Sequence, residues 1–380
     1  MRNLVLKICG IFWLGSCTEM AVAQPVPADV QASAATVHLL QGLHRTTQKG
    51  CMFGHQDDLA YGVEWRYKEG RSDVKEVAGD YPAVYGWDLG GIENDNSDRN
   101  LDGVPFKKMR QFIREAYERG GVVTLSWHLN NPMLPGKNAW DTTHGTVASI
   151  LPGAPYHEVY KAWLDKVADF VGSLKNKSGE PIPVLFRPFH EFTGTWFWWC
   201  QNTCTTEEFV TLWRFTIYYL EQVKQLHHLI TVYNTSDNFN TAEEFLKRYP
   251  GDDVVDVLSF DSYHYGDSTQ SAFFSQKLHR QLQLISNIAT EKNKLTALAE
   301  TGFEAVPYTK WWTDVLLPAT VDLPVSYVLV WRNHGLANWN NKMHYYAPYK
   351  GQISAADFID YYNSPRTLFE KDVAAEKLYK

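Results

Sequence analysis

The chain has 380 residues, with 36 Lys and Arg against 43 Asp and Glu and a formal net charge of −7. No basic excess exists to neutralise phosphates, which argues against nucleic acid as a partner. Hydrophobic residues at 44% and charged residues at 21% are ordinary for a globular protein, and the unusual feature is 14 Trp and 21 Tyr. Most of these rings belong in a core, but flat rings with a polar tip also suit sugars, whose apolar C–H faces are edged by hydroxyls.

At the start of the chain, Arg2 and Lys7 bracket a positively charged end, Ile8 to Gly15 form a short apolar run, and Ala21-Val22-Ala23 offers a small-residue cleavage site. Residues 1–23 are therefore predicted to be a signal peptide, with an apolar run too short to span a bilayer. The exported protein is expected in the periplasm or secreted. Leu14-Gly15-Ser16-Cys17 also resembles a lipoprotein box, which would instead anchor the chain at the outer membrane through a lipidated Cys17. A Pro/Ala/Ser-rich tether is expected over 24–35, then a single domain over 36–380, with no membrane span and a monomeric state.

From there, short apolar runs alternate with longer segments of helical period. The runs are Cys51–His55, Ala83–Leu89, Val122–Leu129, Val184–Glu191, Leu229–Ser236, Val254–His264, Leu295–Gly302 and Ser326–Asn333. Their near-continuous apolarity fits parallel strands buried on both faces. Helical stripes lie between them: Phe106 to Ala116, Tyr160 to Leu174, Phe209 to Val223 and Phe274 to Ala289. The third opens with Thr205 and Glu208 in capping-box spacing. Weaker helical segments fall near Val74, Glu243 and Trp311, and a last one over Ala355–Phe369. Eight strand–helix alternations predict an α/β single-domain (β/α)8 TIM barrel, with an open doubly wound sheet as the alternative.

In such a barrel chemistry belongs at the C-terminal strand ends. Most of the runs end in reactive or sugar-binding residue types: His55-Gln56-Asp57, Trp87-Asp88, Trp127-His128, His190-Glu191, Asp261-Ser262-Tyr263, Glu300-Thr301 and Trp331-Arg332-Asn333. A lone polar residue after a strand is usually a turn or cap; seven clusters converging on one face point to a site. Glu191 and Glu300 supply the pair of carboxyls that glycoside hydrolysis needs. Glu191, among Phe189, Phe192 and Trp196 to Trp199, has the apolar setting that keeps an acid protonated, and Arg187 is a cation able to hold a carboxylate charged. No cofactor or metal is expected: His190-Glu191 lacks the HExxH frame, and neither Asp57-Asp58 nor Asp95 with Asp98 has EF-hand spacing. Of the mature cysteines, Cys200 and Cys204 are close enough for a local disulfide, leaving Cys51 free.

The stretch Arg187-Pro188-Phe189-His190-Glu191-Phe192-Thr193-Gly194-Thr195-Trp196-Phe197-Trp198-Trp199 closely resembles the acid/base motif of glycoside hydrolase family 26 β-mannanases. Phe53-Gly54-His55-Gln56-Asp57, Leu298-Ala299-Glu300-Thr301-Gly302 and Val330-Trp331-Arg332-Asn333 resemble that family's first-strand, nucleophile and last-strand segments, in family order. The resemblance implies a retaining double displacement with Glu191 as acid/base and Glu300 as nucleophile. It further implies that His190 orients the nucleophile or touches the −1 sugar, Trp196 meets the leaving sugar and Tyr263 hydrogen-bonds the nucleophile. His128 would line the site, Trp331 would floor the −1 mannose, and Arg332 would reach the −2 mannose, with Asp88 and His55 nearby. Phe192 and Cys200 stand where the family usually has Met and Gly, which leaves the leaving-group subsites open to change.

The expected activity is hydrolysis of β-1,4-mannosidic bonds in mannan, glucomannan or galactomannan, either inside chains or by release of mannobiose from ends. Two alternatives stand beside it: a related β-1,3-xylanase or mixed-linkage glucanase, and a non-catalytic carbohydrate-binding protein on the same scaffold.

Overall fold

The computed structural model describes residues 24–337 and 340–380. The leader reading over 1–23, Cys17 included, lies outside them. Eight parallel strands form the barrel: β1 Cys51–Gln56, β2 Val84–Asp88, β3 Val122–Ser126, β4 Val184–Arg187, β5 Leu229–Ser236, β6 Val257–His264, β7 Leu295–Phe303 and β8 Val325–Val330. Each pairs with the next, and β8 pairs back onto β1 through Met52–Tyr327 to His55–Val330, so the sheet closes. The open-sheet alternative is thereby removed. No described helix is long and apolar enough to cross a membrane.

Alternation along each strand sorts side chains into two cores. Phe53, Tyr85, Val123, Phe186, Tyr233, Phe260, Leu298 and Val328 point outward into the layer between barrel and helices. Met52, Val84, Val122, Leu185, Ile230, Val257, Leu295 and Tyr327 fill the interior. Extending the inward series by one or two steps reaches Gln56, Asp88, Ser126, Arg187, Asn234 and Asp261. The barrel interior is therefore apolar at its base and polar at its mouth. Gly86 sits between the layers because a Cβ there would lie 2.0 Å from Gln56 Oε1 and 2.8 Å from Leu329 Cδ1.

The predicted helices form as Phe106–Arg119, His157–Gly172, Thr206–Tyr218 and Ser271–Lys292. The Thr205–Glu208 capping box is present: Thr205 Oγ1 accepts from the Glu208 amide at 3.2 Å and Glu208 Oε2 accepts from the Thr205 amide at 2.8 Å. Three differences from the expected elements have physical causes. The 24–35 segment packs on the barrel base: Asp256 Oδ1 accepts from the Ala28 amide at 2.6 Å and Asp29 pairs with His227 at 2.8 Å. It leads into a helix, Ala34–Thr46, whose Leu39, Leu40 and Leu43 plug the barrel interior; each buried leucine contributes roughly 1.5–3 kcal/mol. The helix expected over Ala355–Phe369 stops at Tyr362, before Ser364-Pro365, and Thr367–Leu368 then adds a short parallel strand beside β1.

Cys200 and Cys204 do not form the expected disulfide; both are separate buried thiols. Each finds its own partner within the turn. Cys200 Sγ donates to the Glu191 carbonyl at 3.5 Å, while Cys204 Sγ donates to the Trp199 carbonyl at 3.6 Å and accepts from Arg248 Nη1 at 3.3 Å. Burial pushes the Cys200 thiol up to about 12, so it stays protonated and unreactive at neutral pH.

Candidate active site

Arg187 is the hub of the barrel mouth. Buried at the end of β4, it donates through Nη1 to Asp261 Oδ2 at 2.9 Å and to Asn234 Oδ1, and through Nη2 to Glu300 Oε1. Tyr263 Oη donates to the other Glu300 oxygen at 2.7 Å. Both oxygens of Glu300 are thus held by donors, one of them charged, which fixes the carboxylate's orientation.

A β-bulge places Glu300 in the mouth. Phe260 pairs with Leu298 but Asp261 pairs with Glu300, so β7 carries one extra residue at this point. Simple alternation from Leu298, which faces outward, would turn Ala299 inward and Glu300 outward. The added residue resets the phase, and Glu300 joins the inward layer.

Glu191 comes from the turn after β4. The backbone there takes the left-handed conformation at Phe189 (φ 50°) and at Glu191 (φ 53°). Non-glycine residues hold that conformation only where neighbours fix it. Here Phe189 is wedged against Trp198, Trp199 and Phe209, and Trp199 Nε1 donates to the His190 carbonyl at 2.8 Å. Of the four consecutive aromatics, Phe197, Trp198 and Trp199 are buried and act as scaffold. Trp196 alone stands out, 39% exposed, and its Nε1 donates to Glu191 Oε2 at 2.7 Å.

One carboxylate oxygen from each of Glu191, Asp261 and Glu300 lies within 4.8 Å of the other two. Retaining glycosidases place their two carboxyls about 5–5.5 Å apart, and inverting ones about 6.5–9.5 Å, to leave room for a water. The short spacing here favours direct attack by one acid. Burial, and then the charge of Glu300, push the Glu191 carboxyl up to about 7, so a large fraction of it still carries a proton at neutral pH. The trio is the one acidic cluster among the described residues with cation-holding spacing, and Arg187 already engages Asp261 and Glu300.

The remaining predicted residues fall around this pair, with two corrections. His128 and His190 meet edge to face, their Nε2 atoms 3.0 Å apart. His190 is directed at His128 rather than at Glu300. Trp331, half-buried after β8, has its ring 6.4 Å from that of His128. Arg332 pairs with Asp102 at 2.8 Å and donates to Tyr61 Oη at 3.3 Å. The corrections concern Asp88 and His55, expected near the substrate: they are 0% and 1% exposed. Asp88 lies beneath His128, bound to its Nδ1 at 2.7 Å, and His55 is held by Asp58 at 2.7 Å. Neither presents a surface to a sugar.

The sequence reading missed Trp140, Tyr265, Tyr61 and Asp102. Trp140 is half-exposed and stacks on His128 with centroids 5.1 Å apart at 14°. Its loop has no periodicity to flag it; the available signal was a single indole among Gly, Asn, Asp and Thr between Pro132 and Pro155. Tyr265 is 76% exposed, 6.3 Å from Tyr263.

Trp196→Phe is expected to keep the ring and remove the hydrogen bond that favours charged Glu191. The alkaline limb of kcat/KM should then move to higher pH, whereas Trp196→Ala should also raise KM. Paired pH–rate profiles of the two variants check both statements.

The pattern of glycosyl hydrolase family 26 matches residues 28–344 of the chain. A mannan endo-1,4-β-mannosidase of Bifidobacterium adolescentis is 32% identical over 360 residues, covering 90% of this chain and 35% of that longer protein. The mannan endo-1,4-β-mannosidase of Bacillus subtilis is 27% identical over 282 residues, covering 69% of this chain and 74% of its own. Among solved structures, a GH26 β-mannanase from Bacteroides ovatus superposes with a TM-score of 0.86 at 45% identity, covering 92% of this chain and 98% of that one. A modular endo-β-1,4-mannanase from Cellulomonas fimi gives 0.79 at 33% identity, covering 92% and 78%. With the closed barrel, one glutamate just after β4 and one on β7, and a family match across most of its length, the chain belongs to glycosyl hydrolase family 26.

Proposed function

We propose that this protein is a β-mannanase that hydrolyses β-1,4-mannosidic bonds with retention of anomeric configuration. The observation that carries the reading is the pair Glu191 and Glu300, close together in unlike settings: Glu300 is held by Arg187 and Tyr263, and Glu191 is met by the Trp196 indole. Glu300, bound on both oxygens and paired with Arg187, attacks the anomeric carbon. Glu191, raised far enough to keep a proton near neutral pH, donates to the departing oxygen, then takes a proton from the water that cleaves the glycosyl–Glu300 ester. Trp331 offers a ring under the −1 sugar, Trp196 a ring for the leaving sugar, and Arg332 a cation for the next unit. The substrate class follows the named activities of the Bifidobacterium and Bacillus relatives.

Export to the periplasm or beyond is part of the proposal, supported by Arg2, Lys7 and Ala21-Val22-Ala23 in the leader. The test is incubation of the purified protein with linear mannan, galactomannan, β-1,3-xylan and mixed-linkage glucan, with products read by chromatography and the first anomer by NMR. Manno-oligosaccharides with a β anomer at first appearance are expected. Products from xylan or glucan alone would move the substrate to those polymers, and no product from any would leave the binding-protein reading. A time course on mannohexaose separates chain-end attack (mannobiose from the start) from internal cleavage (mixed products).

A further inference from the structure

Gly302 and Asn333 close two of the predicted strand runs, yet neither brings a functional group to the carboxyl pair. Gly302 has no side chain, and Asn333 is fully buried and bonded elsewhere. Both serve Tyr346. Asn333 Oδ1 accepts from the amides of Tyr346 at 3.0 Å and Ala347 at 2.9 Å. Its Nδ2 donates to Asp73 Oδ2 at 2.9 Å and to the Ala347 carbonyl at 3.1 Å. All four hydrogen-bonding positions of the amide are in use, which fixes its orientation. The same segment is tied to the residues after β7, because the Tyr345 carbonyl accepts from the Ala305 amide at 2.8 Å.

The fastened ring lies over Gly302. A Cβ there would collide with Tyr346 Cδ1 and lie 3.1 Å from its Cγ, and the backbone sits at φ 151°, an angle that side chains rarely adopt. Glycine is needed for the backbone angle and again for the slot that the ring fills. From that slot Tyr346 meets Tyr263 edge to face, with centroids 5.7 Å apart at 70°. The other ring beside Tyr263 among the described residues is Tyr265, which is 76% exposed and gives no fixed support.

We infer that Tyr346 is a positioning residue for the nucleophile: its ring, fixed by Asn333 and by the Gly302 slot, holds Tyr263 on Glu300 Oε2. The inference rests on the reading of Glu300 as the nucleophile. Arg187 grips Oε1, but a carboxylate held at one oxygen can still swing about that point. Tyr263 Oη, 2.7 Å from Oε2, is the second point that fixes the plane. Tyr263 is itself only half-buried, so its direction depends on the ring that backs it. Attack on the anomeric carbon needs aligned atoms about 3–3.5 Å apart, and a misplacement of about 1 Å costs about 10^2-fold. Tyr346 acts through Tyr263, one group away from the reacting carboxylate.

The test reads the nucleophile's step by itself. The full-length protein and its variants, each checked for folding by thermal unfolding, are treated with a fluorinated mannosyl donor whose leaving group needs no proton. Mass spectrometry gives the labelling rate and the labelled residue, and kcat and KM are measured on mannan. Y346A is expected to lower the labelling rate and kcat by about 10- to 100-fold, with KM changed by no more than about threefold. Y346F, which keeps the ring, should recover most of that loss. In a Y263F background Y346A should cost little more, because both changes act on one contact. Losses that multiply, a Y346F as slow as Y346A, a rise in KM alone, or a folded Y346A that labels at the wild-type rate would each overturn the inference. If Y346A does not fold, Y346L fills the slot without an aromatic edge and carries the same expectations. Label on Glu300 with Y346A unaffected leaves the functional reading standing. Label on another residue overturns that reading and this inference with it.

Discussion

Glu300→Ala is expected to lower kcat on mannan by on the order of 10^4- to 10^6-fold, because no other group can form the glycosyl–enzyme bond. The arrangement around Glu300 makes it irreplaceable in place. Arg187 and Tyr263 hold its two oxygens, and the β7 bulge aims it into the mouth. Asp261 is close by, but it lies on the far side of Arg187's fork, bonded to Nη1 and to Asn234. A fluorinated mannosyl donor with a good leaving group should raise the mass of the wild-type protein by one glycosyl unit and leave Glu300→Ala unchanged. Retention of more than a few per cent of wild-type kcat by Glu300→Ala, with contamination excluded, would assign the nucleophile elsewhere.

Glu191→Gln is expected to cost about 10^2- to 10^4-fold on mannan, the usual worth of a general acid. The sign of its pH effect follows from the proton the reaction needs. Burial and Glu300 raise the Glu191 carboxyl to about 7, and its protonated form is the competent one in bond cleavage. Wild-type kcat/KM should therefore fall as pH rises through about 7. The glutamine variant has no such proton and should lack that limb. It should also form the glycosyl intermediate at a near-normal rate from aryl mannosides whose leaving group needs no proton. Pre-steady-state release of the aryl group reads that step directly. An alkaline limb that survives in Glu191→Gln, at its wild-type position, would take the acid role away from Glu191.

Much of this architecture is legible in the sequence. Continuous apolar runs of strand length leave few options other than strands buried on both faces, and their spacing leaves room for helices between them. The terminal Glu, His, Tyr and Trp residues were visible because strand ends interrupt apolar runs sharply. Three kinds of feature were not legible. The helix Ala34–Thr46 plugs the barrel through Leu39, Leu40 and Leu43, but a Pro/Ala/Ser-rich approach hid it. Trp140 reaches His128 from a loop without period. The thiols of Cys200 and Cys204, four residues apart, each turn to a different partner, which spacing alone does not reveal.

Sequence by itself determined the eight strand–helix alternations, the strand boundaries to within a few residues, and the two acids, since these depend on which residues are apolar and where the runs end; closure of the sheet into a barrel came from the pairing of β8 with β1. Tertiary structure decided the roles. Period-two alternation would have turned Glu300 away from the mouth, and only pairing with β6 reveals the extra residue that turns it back. Asp88 and His55 looked like sugar contacts by position, yet lie under the surface as supports for other side chains. Direction and proton state depend on neighbours brought from other strands, and those neighbours exist only once the barrel has closed.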